Sequence, residues 1–187
     1  MIRKLMQAAL LVAGGLALGG CPLQQQAKTA APAKKPPAAD YQAPGSGNPP
    51  PASATRGICY NASDLAIYNA RMIHQQLNVA VLQCQNPDGT RAFVSKYNAY
   101  AEKFRSEIIS NGSSMTSLAR TKRFNLDVVV TEFANRTAQR APTDKEFCSR
   151  FERALDWALS PQATSLAQVP PVYDLGPEMS TYPCPSP

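Results

Sequence analysis

The placement of proline constrains this chain more than any other feature. Its 187 residues include 17 prolines, about twice the usual share. Eight fall between Pro22 and Pro51 and seven between Pro161 and Pro187, while only Pro87 and Pro142 interrupt residues 57–160. Proline lacks a backbone donor and clashes with the preceding helical turn. Past the first 21 residues, long helices are therefore confined to 57–160. A chain of this length allows one ordinary domain. The pattern excludes a large multidomain enzyme, a collagen-like repeat and a polytopic membrane protein.

Residues 57–160 carry helical periodicity. Asn61-Ala62-Ser63 offers caps before the acidic Asp64. Leu65, Tyr68, Met72, Ile73, Leu77, Ala80, Val81 and Cys84 then recur at spacings of three and four. Asn86-Pro87-Asp88-Gly89 is a turn signal. Thr90 is placed to cap a second helix with Phe93, Tyr97, Tyr100, Ala101, Phe104 and Ile108 inward, closed by a left-handed Asn111-Gly112. A third segment starts at Ser113 or Ser114 and carries Met115, Leu118, Val128, Val129 and Phe133 to Ala141-Pro142. Thr143 and Glu146 have the spacing of a capping box. The fourth helix follows, with Phe147, Cys148, Phe151, Leu155 and Ala158 inward, and Ser160-Pro161 stops it. No period of two appears. The expectation is an all-α fold, a small antiparallel four-helix bundle stapled by disulfides.

The amino terminus has its own logic. Arg3 and Lys4 precede sixteen uncharged residues, Leu5–Gly20. That is short of the ~20 needed to span a bilayer and fits the apolar region of a signal peptide. It ends in Leu18-Gly19-Gly20-Cys21, an aliphatic residue, two small residues and a cysteine. This motif resembles the lipobox of bacterial lipoproteins. The resemblance covers residues 1–21 only. It implies a signal peptide over 1–20, cleavage before Cys21, and a covalent diacylglycerol and N-acyl chain on Cys21. No other cofactor is expected. Two or three acyl chains make membrane attachment stable, whereas one is marginal. Pro22 stands where an Asp would resemble an inner-membrane retention signal, which implies the outer membrane, facing the periplasm.

From 21 to 56 the composition reduces to Pro, Ala, Gln, Lys, Gly and Ser, with Leu23 and Tyr41 as the only large apolar side chains past Cys21. Such a segment buries too little surface to offset its chain entropy, so a disordered linker is expected. The thirty-five residues 22–56 span at most ~110 Å in polyproline II form. Residues 161–187 read as a Pro-rich tail. Of the net charge of +6, Arg3 and Lys4 contribute two and the linker three, leaving one for residues 57–187. The basic balance is thus no signal for nucleic acid, and none is expected as a partner.

Few residues carry chemistry. His74 is the only histidine. It lies at or beyond the edge of its apolar stripe, with no second histidine for a zinc site and no nucleophile motif for a triad. Glu102, Glu107, Glu132, Glu146 and Glu152 are the carboxylates available for a glycosidase pair. Each lies beside basic or polar residues that make it an ordinary ion-pair member; Glu132 and Arg136, for example, are an i, i+4 pair. Arg120, Lys122 and Arg123 form the clearest surface feature, a candidate patch for lipid phosphate or an acidic partner. Tyr97, Tyr100 and Phe104 have the spacing of a buried stripe. The expected function is a non-enzymatic, membrane-anchored envelope interaction or accessory module with an envelope-protein or cell-wall partner. A lipid or small-ligand carrier with a cavity in the bundle is the alternative, and a cell-wall-acting enzyme the third reading.

With Cys21 acylated, Cys59, Cys84, Cys148 and Cys184 remain, an even number suited to an oxidising compartment. Cys59 and Cys84 flank one helix and stand roughly 35–38 Å apart if it is continuous, beyond the reach of a bridge. In an up-down-up-down bundle the end of helix one meets the start of helix four, which pairs Cys84 with Cys148. The tail then brings Cys184 to Cys59.

Overall fold

A computed structural model of the protein describes residues 40–45 and 59–184. The signal segment, Cys21 and most of the linker lie outside the described residues. The described residues form five helices: α1 Ala62–Gln83, α2 Val94–Lys103, α3 Arg105–Lys122, α4 Leu126–Arg140 and α5 Phe147–Leu159. Two 3₁₀ turns follow, Leu166–Gln168 and Pro177–Met179. The described residues contain no strand, only the isolated bridges Tyr60–Pro183 and Gln85–Arg91. The fold is all-α.

Helix α1 is the central element. Asn61 Oδ1 accepts from the Asp64 N–H at 2.9 Å, and Asp64 Oδ2 accepts from the Asn61 N–H at 3.0 Å. This reciprocal pair satisfies two donors that a helix start leaves open. Tyr68, Met72, Ile73, Leu77 and Ala80 are fully buried. Helix α1 packs chiefly on α4 and α3, while α5 packs chiefly on α2. Five helices thus replace the expected four.

The extra helix arises because the boundary expected at Asn111-Gly112 is replaced by two, at Phe104 and at residues 123–125, the second dividing the segment expected to start at Ser113 or Ser114. The second helix does not run on to a cap at Asn111-Gly112; it breaks at Phe104 (φ −106°, ψ 17°), whose ring is 1% exposed. The Asn111 side chain instead donates to the Ile67 carbonyl at 2.9 Å. Gly112 serves close approach: a Cβ there would stand 3.2 Å from Nη2 of Arg71. The left-handed terminator of α3 is Arg123 (φ 58°). Neither Thr90 nor Thr143 caps a helix. Thr90 closes the 86–90 turn by donating to Asp88, with Gly89 at φ 80°. The Thr143 hydroxyl donates to the Arg140 carbonyl, and Asp144 Oδ1 accepts from the Glu146 N–H at 2.8 Å. Val128, expected inward, is 56% exposed, while Phe133 is fully buried.

Both disulfides have the expected pairing. Cys84 caps α1 and joins Cys148, the second residue of α5, at a Cα separation of 5.7 Å. Cys148 itself is exposed rather than on the apolar stripe of α5. Cys59 joins Cys184 at 4.7 Å.

The Pro-rich tail is part of the core. Ala163, Leu166, Val169, Val172 and Leu175 are almost completely buried. Gln76, fully buried in α1, holds them. Its Oε1 accepts from the N–H groups of Val172 (2.9 Å) and Tyr173 (3.2 Å), and its Nε2 donates to the Tyr173 carbonyl at 2.7 Å. Three backbone groups with no helical partner are thereby satisfied. The linker also departs from expectation at its one aromatic residue: Tyr41 is buried, and residues 40–45 lie against the domain.

Candidate functional site

A cleft is built where α4, α5, the tail and residues 43–45 meet. Its volume is about 410 Å³, and its walls include Ala43, Pro44, Gly45, Arg140, Asp144, Arg150, Tyr173, Asp174 and Glu178. Arg140, in the last turn of α4, pairs with Glu178, which Arg136 also reaches at 3.3 Å. Arg150 of α5 pairs through Nε with Asp144 at 3.1 Å and through Nη2 with Glu146 at 2.6 Å. The Tyr173 hydroxyl donates to Asp144 Oδ2 at 2.8 Å. The Arg140 guanidinium lies 5.9 Å from the Tyr173 ring centroid.

The electrostatics of this cleft are those of a closed network. Burial alone would raise the Asp144 carboxyl; the Tyr173 hydroxyl, the Glu146 N–H and Arg150 outweigh it and hold it below the usual range. Burial and the donated bond to Asp144 raise the Tyr173 phenol. At neutral pH the pair is therefore a carboxylate and a neutral phenol, with no proton poised for transfer.

The basic cluster is divided by the fold. Lys122 turns inward: Nζ pairs with Asp64 Oδ2 at 2.8 Å, donates to the Cys59 carbonyl at 2.6 Å and lies 5.2 Å from the Tyr60 ring centroid. It stitches the end of α3 to the start of α1. For Asp64, burial raises the carboxyl, but Lys122 and the Asn61 N–H outweigh it and leave it lowered. Arg120 and Arg123 remain exposed. The three residues thus do not form one open cationic patch.

His74 is half-buried at the edge of its apolar stripe, beside a polar seam. Its ring stacks on Tyr97 at 6.5 Å and approaches Tyr100 at 6.1 Å. Its Nδ1, the Arg71 Nε and the Tyr100 hydroxyl are buried without a hydrogen-bond partner. Burial, and secondarily the Arg71 charge, lower the imidazole to about 4. The candidate glutamates are engaged one by one. Glu102 pairs with Arg105, Glu132 with Arg136, Glu146 with Arg150 and Glu152 with Lys96. Glu107 accepts from the Ser165 hydroxyl and the Leu166 N–H. Among the described residues no group of three or more His, Cys, Asp or Glu side chains is placed to hold a metal ion. Cys21 lies outside the described residues.

Gln76 and Tyr41 were missed as organising residues, and each left a trace in the sequence. Gln76 interrupts an apolar stripe, between Ile73 and Leu77, where a polar side chain needs a buried partner. Tyr41 is the one aromatic residue between Pro22 and Arg56. Comparison with known proteins gives no match: no family model, curated protein or solved structure is similar enough to the chain to show kinship.

Proposed function

We propose that this protein is a lipid-anchored, periplasm-facing lipoprotein of the bacterial outer membrane. It acts as a non-enzymatic interaction or accessory module of the cell envelope. The observation that carries the reading is Leu18-Gly19-Gly20-Cys21 at the end of a short uncharged segment. Two disulfides in a small domain suit the same oxidising compartment. The non-enzymatic part is supported by the engagement of the candidate carboxylates with basic side chains or backbone donors, and by the lowered imidazole of His74, a poor general base at neutral pH. An interaction role is further supported by the charged cleft between residues 43–45 and α4–α5.

The test is metabolic labelling with palmitate. The intact chain incorporates label and is processed, and Cys21→Ser leaves an unlabelled precursor. Equal labelling of the two would overturn the anchor. Crosslinked envelopes then identify the partner: capture of a defined envelope complex by the anchored protein supports the accessory role. A lipid bound inside the purified domain would instead make it a carrier.

A further inference from the structure

By composition Asp40–Gly45 belongs to the Pro/Ala-rich segment, yet it is seated on the folded body in register with the tail. The Tyr41 hydroxyl donates to the Pro170 carbonyl at 3.1 Å, Gln42 Nε2 to the Pro171 carbonyl at 3.2 Å and the Ala43 N–H to the Val172 carbonyl at 2.8 Å. Three successive residues thus bond to three successive carbonyls. Arg150 Nη1 donates in turn to the Gln42 carbonyl at 3.3 Å. The Tyr41 side chain is 1% exposed. A buried aromatic anchor, one main-chain bond from Ala43 and two side-chain bonds to main-chain carbonyls hold this extended segment the way a peptide is held in a preformed groove. The groove is itself secured, because Gln76 holds the Val172 and Tyr173 backbone from beneath.

We propose that this groove is the docking site for the protein's own membrane tether, and that Tyr41, rather than Cys59, is where the tether ends. The inference rests on the lipid-anchor reading above. With Tyr41 seated, the tether from Cys21 consists of residues 22–39, eighteen residues that reach at most ~56 Å at ~3.1 Å each. With Tyr41 released, it consists of residues 22–58, thirty-seven residues that reach at most ~115 Å. The docked segment therefore sets how far the domain stands from its membrane and turns the side formed by α5 and residues 170–172 toward the tether.

The test uses the full acylated chain in bilayers of phosphatidylethanolamine and phosphatidylglycerol. A donor dye is carried on a non-natural residue at position 109, where Ile109 is 69% exposed. An acceptor dye is carried on lipid. Tyr41→Ser and Tyr41→Ser combined with Ala43→Pro are compared with the parent; the second change also deletes the N–H that bonds Val172. Far-UV circular dichroism and non-reducing peptide maps identify variants that retain the fold. The tether's share of the dye-to-bilayer separation is expected to rise by roughly 1.4-fold for a flexible tether and roughly twofold for a stiff one, and the mean separation to rise with it. Hydrogen exchange at the Ala43 amide should be slow in the parent and fast in Tyr41→Ser. Unchanged separation in a folded, anchored variant overturns the proposal, as does fast Ala43 exchange in the parent. If the parent chain takes up no palmitate and leaves the bilayer, the anchor reading fails and the tether with it. Slow Ala43 exchange would then still register the docked segment, so the two failures are distinguishable.

Discussion

Acid should loosen this domain through one histidine. In the fold, burial lowers the His74 imidazole from 6.5 to about 4. The unfolded chain binds a proton near 6.5, the folded chain only near 4. Stability is therefore complete above pH 6.5 and falls as the pH drops toward 4. One pKa unit corresponds to 1.36 kcal/mol, so the full gap amounts to about 3 kcal/mol. At pH 4.5 the expected loss relative to pH 7 is about 2 to 3 kcal/mol. That is a large part of the ~5–15 kcal/mol that holds an ordinary domain. The groups packed around His74 do not share this window: Arg71 stays charged, and Tyr97 and Tyr100 have phenols raised by burial. Asp64 and Asp144, both lowered below 3.8, stabilise the fold above that value and lose their contribution at still lower pH. The assay is urea denaturation of oxidised residues 40–187 at half-unit steps from pH 7.5 to 4.5, followed by tryptophan fluorescence of Trp157 and by circular dichroism. His74→Gln should flatten the curve across pH 6.5–4.5 by about 2 to 3 kcal/mol. An identical decline in parent and variant would refute the assignment of acid sensitivity to His74.

Two further perturbations test the frame. Gln76→Leu strands the Val172 and Tyr173 N–H groups and the Tyr173 carbonyl in the interior; a loss of about 2–4 kcal/mol in denaturant midpoint experiments is expected. Limited proteolysis should then cut within 161–184 first, and a tail as resistant as the parent's would show that Gln76 does not hold it. Replacing Cys84 and Cys148 together by Ala opens a loop with a sequence separation of 64, expected to lower stability by about 4 kcal/mol. Peptide mapping of that variant should still recover Cys59–Cys184, and recovery of a scrambled bridge would contradict the independence of the two staples.

The helices that sequence alone located are those whose signals are local. The N-cap offered at Asn61-Ala62-Ser63 and the 86–89 turn each need only a few neighbouring residues, and both formed, with Asn61 as the cap. Helix α5 was also legible, with the apolar spacing of Phe147, Phe151, Leu155 and Ala158 and the stop at Ser160-Pro161. Its start was not: Asp144, rather than the Thr143–Glu146 box, supplies the acceptor there. The disulfide pairing was legible because a helix is a rigid spacer: its length forbids Cys59–Cys84 and leaves few ends to join. The described residues form five helices rather than four, yet the end of α1 still meets the start of the last helix, which joins Cys84 to Cys148.

What only the tertiary structure decided depends on residues far apart in the chain. Gly112 looked like a helix terminator because glycine tolerates a left-handed backbone; Arg71, 41 positions earlier, makes it a point of close approach instead. Lys122 looked like a surface cation, but Asp64 and the Cys59 carbonyl draw it inward and remove it from the candidate basic patch. Proline-rich composition marked residues 161–184 as a loose tail and residues 40–45 as free linker. Such segments have no periodic signal, and their backbone groups are satisfied by partners that sequence proximity does not supply. Gln76 supplies them to the tail, and the Val172 carbonyl supplies one to Ala43, while the Pro170 and Pro171 carbonyls accept from the Tyr41 and Gln42 side chains. Local sequence determines where a helix forms because its hydrogen bonds close within four residues; the path of an irregular segment is decided by whatever distant surface completes its bonds and buries its one large side chain.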